Sequence, residues 1–155
     1  MSVPDDASSL LGDVGVALLV TPVATAEALA ATCALARVDV DAVPSSVGAV
    51  ALFRDPQGEG PAQAAAAVSR LLKGVPIVLL ERRAGQISAS RWLDGARGED
   101  LAPGLVLSDA PEVLEDLLLG TTTPADVDGV VPSIGMSRLR AMRLLAASAR
   151  GSRRR

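Results

Sequence analysis

The sequence contains no histidine, no tyrosine and a single cysteine among its 155 residues. Without histidine, the chain lacks Ser-His-Asp and Cys-His nucleophile systems, His-bound zinc and the commonest general base near neutral pH. One cysteine excludes an internal disulfide and Cys-rich zinc or iron–sulfur sites. The phosphate-binding patterns G-x-x-x-x-G-K-[ST] and G-x-G-x-x-G are also absent. We therefore expect a protein that is not an enzyme and that holds no cofactor and no metal.

Aromatic side chains are nearly absent, since Phe53 and Trp92 make up the whole 1%. The core must therefore consist of Ala, Val, Leu and Ile, and its elements should pack closely. The longest apolar stretch, 14–36, contains Glu27 and is interrupted by "TPVAT", so it predicts a strand and a helix rather than a membrane span. No basic segment precedes an apolar one near Met1, which predicts no signal peptide and a cytoplasmic protein.

Charge is distributed unevenly along the chain. Residues 1–137 carry 8 basic and 18 acidic side chains, a net charge of −10, whereas residues 138–155 carry seven arginines and no acid. Arginine outnumbers lysine fourteen to one, which together with the high alanine content is typical of a GC-rich genome. The asymmetry between an acidic body and a basic end is the strongest functional signal in the sequence.

Hydrophobic periodicity predicts an alternation of strands and helices. Strands are predicted at 14–20, 38–43, 49–54, 75–81, 87–92 and 105–108. Thr21 and Pro22 resemble the N-cap and first position of one helix, Gly60 and Pro61 open a second, and a third follows Asp109. Segment 93–104 is predicted to be a loop, and a last helix to start at about residue 133.

The order of elements through residue 81 is β-α-β-β-α-β. Because only a turn separates the strands 38–43 and 49–54, they should be antiparallel, as in the ferredoxin-like arrangement. We therefore predict an α/β protein, an α+β two-layer sandwich whose ferredoxin-like core is extended by a hairpin and a further βα unit. An open flavodoxin-like sheet is the alternative. The predicted organisation is one domain at 1–120, a linker at 121–132, and a basic amphipathic helix with a disordered Arg-rich end at 133–155.

Single residues with reactive or metal-binding chemistry have simple structural interpretations. Cys33 lies in the middle of a predicted helix on its apolar side, away from the features that lower a thiol pKa, so packing is favoured over reactivity. Asp39 and Asp41 share one face of a strand and could hold a hard cation. A solvated strand face is the favoured interpretation of that pair.

The hairpin "LLERRAGQISASRW" brings several arginines close together in sequence. Arg82, Arg83 and Arg91 could clamp a phosphate or a carboxylate. Arg91 beside Trp92 could instead mark a protein interface, because both residue types are enriched at binding hot spots. The hairpin is therefore a candidate interface or anion site.

The basic end is the main candidate interaction element; its residues are Arg138, Arg140, Arg143, Arg150, Arg153, Arg154 and Arg155. On a helical wheel, Leu139, Met142, Leu145, Ala146 and Ala149 form an apolar face. This element could dock on the acidic body of its own chain or of a sister subunit, contact nucleic acid through phosphates without sequence specificity, lie on an anionic membrane, or only improve solubility.

From these features we predict a non-catalytic regulatory or scaffolding module that acts through protein–protein contacts. The partner is expected to be a second copy or a protein with an acidic surface. A sensor of an anionic small molecule and a non-specific nucleic-acid-associated protein are the alternatives.

Overall fold

A computed structural model describes the backbone of residues 15–153 and the side chains of residues 15–147. The strands are β1 (Val16–Val20), β2 (Val40–Val43), β3 (Val50–Phe53), β4 (Ile77–Arg83), β5 (Gln86–Leu93), β6 (Ala96–Leu101) and β7 (Val131–Pro132). The helices are α1 (Ala26–Leu35), α2 (Gly60–Leu71), α3 (Pro103–Ser108), α4 (Glu112–Leu119) and α5 (Arg138–Arg153), with a short 3-10 helix at Pro124–Asp126. The loose end predicted for residues 1–12 lies outside the described residues.

The seven strands form one sheet in the order β6-β5-β4-β1-β3-β2-β7. Every pair of neighbouring strands in this sheet is antiparallel. The prediction of a mixed α/β protein is therefore confirmed, and so is the antiparallel pairing of β2 with β3. The flavodoxin-like alternative is wrong, because such a sheet would be mostly parallel.

Helices α1 and α2 cover one face of the sheet. Side chains of both helices bury the inward-facing residues of the strands, with Leu19, Leu29, Val68, Leu79 and Trp92 among the larger members of this cluster. Alanine makes up much of the rest, as the scarcity of aromatics predicts. Small side chains let each helix approach the sheet closely.

The opposite face of the sheet is covered as well, by α3 and α4. Leu114, Leu117 and Leu118 of α4 pack with Leu18 and Leu80 of the two central strands. The predicted two-layer sandwich with helices on one face is therefore wrong. Part of this second layer comes from segment 105–108, which was predicted to be a strand and is instead part of α3. A short apolar run does not by itself distinguish a strand from a helix.

The loop predicted at 93–104 is also wrong, because half of it is the edge strand β6. Asp94 and Gly95 form a two-residue turn with φ of 51° and 88°, the left-handed geometry of a type I′ hairpin. All but the last residue of β6 are exposed. Polar residues on both faces of the strand removed the alternation that predicts strands.

Two helix starts differ from the predicted ones. The first helix is capped by Thr25, whose hydroxyl accepts from the N–H of Ala28 at 3.1 Å. Thr21 instead lies buried at the end of β1 and donates to the carbonyl of Ala49 at 2.8 Å. Pro111 rather than Asp109 precedes α4, and Gly120 ends that helix in the left-handed conformation.

The chain returns to the sheet after α4. Segment 121–132, predicted to be a linker, contains the 3-10 helix and β7, which pairs with β2. The backbone N–H of Ser133 then donates to the carbonyl of Val40 at 2.9 Å. Helix α5 follows within a few residues. No helix in the described part of the chain has the length and apolar character needed to cross a membrane.

Candidate functional site

Helix α5 is docked on the outer side of α1. Ala141 is fully buried there, and Leu144 and Leu145 are half-buried. In α1, Ala28, Ala31 and Thr32 are buried although they do not belong to the cluster that faces the sheet. A helix that is apolar on all sides is expected only where it is covered on all sides. The first half of α5 is therefore part of the folded body.

The same helix leaves two large apolar side chains in solvent. Leu139 is 59% exposed and Met142 is 54% exposed. The sequence prediction grouped both with Leu145 on one apolar face, and this is wrong for the docked helix. Ala141, which was not assigned to that face, is the buried contact, because α5 meets α1 along the line of Ala141, Leu144 and Leu145. Leu139 and Met142 lie on the outer side.

Arginines surround these two exposed side chains. Arg138, Arg140 and Arg143 are all exposed. None of the three forms an ion pair with another described residue. Ser137 caps the start of the helix by accepting from the N–H of Arg140 at 3.1 Å. We call the outer side of α5, formed by Leu139, Arg140, Met142 and Arg143, the basic face.

The remaining arginines of the predicted interaction element lie beyond this face. The backbone of Arg150 and Arg153 is helical as part of α5. The side chains of these two residues, and Arg154 and Arg155 entirely, lie outside the described residues. The disordered end predicted there falls on the same undescribed part.

The hairpin arginines do not converge on one site. Arg82 and Arg83 are successive residues of β4 and therefore point to opposite faces of the sheet. Arg82 Nε donates to the carbonyl of Leu118 at 2.8 Å and so satisfies the C-terminal end of α4. Arg83 pairs with Glu81 at 2.6 Å and donates to the carbonyl of Gly58 at 2.6 Å. Both guanidinium groups already have partners within the protein.

Arg91 and Trp92 are likewise separated. Arg91 is exposed and pairs with Glu99 of β6 at 3.2 Å. Trp92 is buried between the sheet and α2, where its indole N–H donates to the hydroxyl of Ser90 at 3.0 Å. A buried Trp92 contributes to the core, so it cannot serve as the exposed anchor of an interface on this face.

The remaining candidate residues also have structural partners. Cys33 is fully buried, and burial raises the pKa of its thiol to about 12, which makes it unreactive at neutral pH. Asp41 accepts two hydrogen bonds from Arg54, at 2.8 and 2.6 Å. The hydrogen bonding that Arg54 donates to the carboxylate of Asp41 is the main cause that raises the pKa of Arg54. Among the described residues, no group of three or more metal-ligating side chains occurs.

The clefts of the described surface are open and mixed in character. One of about 320 Å³ lies where α1 ends and α2 begins, with Arg37, Asp39, Asp55 and Gln63 around it. Another, of about 260 Å³, runs between β1, β3 and the segment that follows α4, and Leu52 and Leu117 line it. Neither cleft combines an enclosed apolar pocket with converging polar groups, the usual composition of a small-molecule site.

A second surface was not predicted from the sequence. The outer side of α4 exposes Glu112, Glu115 and Leu119, with Asp116 half-buried beside them. A sequence signal for it exists, because residues 98–137 contain eight acidic residues and no lysine or arginine. We call this outer side of α4, formed by those four residues, the acidic face. It is the counterpart of the basic face on α5.

Comparison of the chain with protein-family models, with curated proteins and with solved structures finds no match in any of the three. The geometry and charge of the described residues are therefore the basis for a functional proposal.

Proposed function

We propose that this protein is a non-catalytic regulatory or scaffolding module that acts through protein–protein contacts, with the basic face of α5 as its contact element. The observation that supports this proposal is the exposure of Leu139 and Met142 among arginines without ion-pair partners in the described structure. Methionine and arginine are both enriched at protein interfaces.

The docking of α5 on α1 strengthens the proposal. A contact helix that is already folded loses little conformational entropy when a partner binds, so more of the contact energy contributes to affinity. The burial of Ala141 fixes which side of α5 faces the body, and so keeps Leu139, Arg140 and Arg143 on the outer side. A flexible end that only improves solubility would not hold apolar side chains in one orientation in solvent.

A ferredoxin-like core is part of the same proposal. The full seven-strand order is not the four-stranded ferredoxin-like arrangement, but its inner strands run β4-β1-β3-β2. In this order β3 lies between β1 and β2, and β1 lies between β3 and β4, which gives two split β-α-β units. Strands β5, β6 and β7 would then be additions at the two edges.

Nucleic acid is the competing partner for the basic face. Its arginines could contact phosphates, and such binding would fall steeply with salt. The described part of α5 has no aromatic side chain on which a base could stack. The exposed Leu139 and Met142 have no role in phosphate binding, which favours a protein partner.

Photo-crosslinking from the basic face tests the proposal. We would place p-benzoylphenylalanine at Met142, in the cells from which the chain comes, and at Leu71 as a control. Leu71 is 49% exposed near the end of α2 and so matches Met142 in exposure and helical setting. We expect discrete protein adducts from position 142, absent from position 71 and lost when Arg140→Glu and Arg143→Glu are added.

Titration with labelled duplex DNA at low and moderate salt separates the competing partner. The control for the double arginine variant is Lys73→Glu with Arg97→Glu, which changes the net charge equally at exposed positions elsewhere. Salt-sensitive DNA binding that only the Arg140/Arg143 variant loses, without protein adducts from position 142, would overturn the proposal in favour of nucleic acid.

A further inference from the structure

The acidic face of α4 and the basic face of α5 have complementary patterns. On α4, Glu115 and Leu119 lie four positions apart and therefore on one stripe of the helix. On α5, Leu139 and Arg143 have the same spacing in the reverse order, with the leucine first. Leu119 is 47% exposed, so each face carries a large apolar side chain next to its charges.

This reversal matches an antiparallel pair of helices. Four residues of α-helix span about 6 Å, at 1.5 Å per residue. When the two helices run in opposite directions, Leu139 comes opposite Leu119 and Arg143 comes opposite Glu115 at the same time. A parallel arrangement would place each charge opposite a leucine. Antiparallel packing also brings opposite ends of the two helix dipoles together.

The two faces cannot meet within one molecule. Helix α4 packs on the sheet face that carries Leu18 and Leu80. Helix α5 lies outside α1, which covers the opposite sheet face and buries Leu29 there. The sheet and α1 therefore separate the two surfaces, and their exposed sides point away from each other.

We infer that the partner of the basic face is the acidic face of a second copy of this chain, an inference that rests on the proposed function. The contact is heterologous, since one copy contributes α5 and the other contributes α4. In such a pair, the first copy keeps a free acidic face and the second keeps a free basic face, so the assembly grows head to tail beyond a dimer, as an open chain or a closed ring. A contact between two single helices is a small interface, which makes the assembly dependent on concentration.

Sedimentation velocity of the full chain over a range of concentrations tests this inference. We expect the weight-average mass to rise beyond that of a dimer at low salt. Raising ionic strength from about 0.01 M to about 1 M shortens the Debye length from about 30 Å to about 3 Å, so the assembly should dissociate.

Charge exchange between the two faces gives a sharper test. We would compare Arg140→Glu/Arg143→Glu, which reverses the basic face, with Glu112→Arg/Glu115→Arg, which reverses the acidic face. Each variant alone presents like charges on both faces, and we expect its self-association to weaken at least about tenfold, equivalent to about 1.4 kcal/mol. An equimolar mixture should restore the assembly, because every reversed face then meets a complementary one. A misfolded variant would not be rescued by mixing.

Disulfide trapping reports on the predicted register. Leu139→Cys in one copy and Leu119→Cys in another should form a mixed dimer under mild oxidation, because both side chains are exposed and opposite each other in the antiparallel pair. Leu71→Cys replaces Leu119→Cys in the control, with similar exposure on a different surface. The native Cys33 is fully buried.

Each remaining outcome counts against the inference. A chain that stays monomeric at all concentrations shows that the partner is not a second copy, whereas adducts from position 142 would still support the proposed function. A mass that saturates at a dimer, growth that both charge variants retain, or trapping that is equal at positions 71 and 119 would show that self-association uses other surfaces.

Discussion

The backbone N–H of Val40 donates to the hydroxyl oxygen of Ser133 at 2.9 Å, across 93 positions of sequence. The same hydroxyl donates to the carbonyl of Val38 at 2.7 Å. Ser133 is buried, and it follows directly after β7 at the edge of the sheet. This residue therefore joins the segment that leads into α5 to the strand that follows α1.

Replacement of Ser133 by alanine should weaken this junction. The variant leaves the buried N–H of Val40 without that side-chain acceptor, so we expect Ser133→Ala to lower the free energy of unfolding by about 1–3 kcal/mol. Urea unfolding followed by the fluorescence of Trp92 measures the change. Ser46→Ala is the control, because Ser46 is exposed. Equal stability of the two variants would show that the hydroxyl contributes nothing.

The docking of α5 on α1 can be tested with two alanines of one helix. Ala141 is fully buried against α1, whereas Ala147 is exposed. Ala141→Glu introduces a larger, charged side chain into a packed contact, and we expect it to destabilise the protein by about 2 kcal/mol or more. Ala147→Glu should change stability by less than about 0.5 kcal/mol. Hydrogen exchange of the α5 amides should be faster in the first variant only.

A truncated chain ending at Pro132 is expected to be a poor reference for the function of the basic end. It lacks Ser133 and the whole of α5, and so exposes Ala28, Ala31 and Thr32 of α1. We expect a lower melting temperature and increased binding of a hydrophobic dye, because these side chains lose their cover. A truncated protein as stable as the full chain would show that α5 is not part of the fold.

The single thiol should make stability depend on alkaline pH. Burial raises the pKa of Cys33 from 9.0 to about 12, so the unfolded chain loses its thiol proton at a lower pH than the folded chain. The free energy of unfolding is therefore not reduced by this thiol below pH 9. It decreases as the pH rises from 9 toward 12, by about 1.4 kcal/mol per pH unit. Urea unfolding at several pH values measures this slope, without overlapping titration of tyrosine because the chain has none.

Cys33→Ala is the control for this pH dependence. The variant should be less stable at pH 8, because a buried side chain becomes smaller. Between pH 9 and 12, the free energy of unfolding of the variant should decrease less steeply, because the contribution of the thiol is absent. An unchanged slope in the variant would assign the alkaline loss of stability to other groups.

Alanine substitution at two glycines with positive φ distinguishes the cost of backbone strain from the cost of steric conflict. Gly48 has φ +129°, and a Cβ there would lie 2.2 Å from the carbonyl oxygen of Thr21. Gly85 has φ +78°, and a Cβ there would have no atom within 4 Å. We expect Gly85→Ala to cost about 1–2 kcal/mol from conformation alone. Gly48→Ala should lower the stability clearly more, because the backbone at Thr21 must move to make room for the methyl group. Thermal unfolding of the two variants provides the comparison.

Local signals predicted much of the first half of the fold. The apolar run of β1, the tight connection between β2 and β3 and the Gly-Pro start of α2 each determine their element within a few residues. The same signals failed where an element depends on its neighbours. Strand β6 lies at the edge of the sheet and is exposed over all but its last residue, so it lacks the apolar alternation of a half-buried strand. The two-residue strand β7 is too short for a periodicity and is defined by its pairing with β2.

The candidate site was predicted in part. The concentration of arginines after residue 137 is visible in the sequence, and Arg140 and Arg143 are exposed in the structure. The sequence pattern of α5 contains enough apolar residues for two different faces, and it does not specify which one is buried. Similarly, Arg82, Arg83 and Arg91 are close in sequence but contact different parts of the protein. Arg82 and Arg83 point to opposite faces of the sheet because they are successive residues of one strand. Arg91 lies on the next strand and pairs with Glu99.

Composition and periodicity by themselves determined the chemistry available to this protein and most of its local structure. They determine the absence of histidine and tyrosine, the single thiol, an alanine-rich core and an acidic body with a basic end. The tertiary structure alone decided that α1 is covered on both sides, that Ala141 rather than Leu139 is buried, and that the acidic and basic faces point in opposite directions. These outcomes depend on contacts between residues far apart in sequence, such as Val40 and Ser133, which local propensities do not encode.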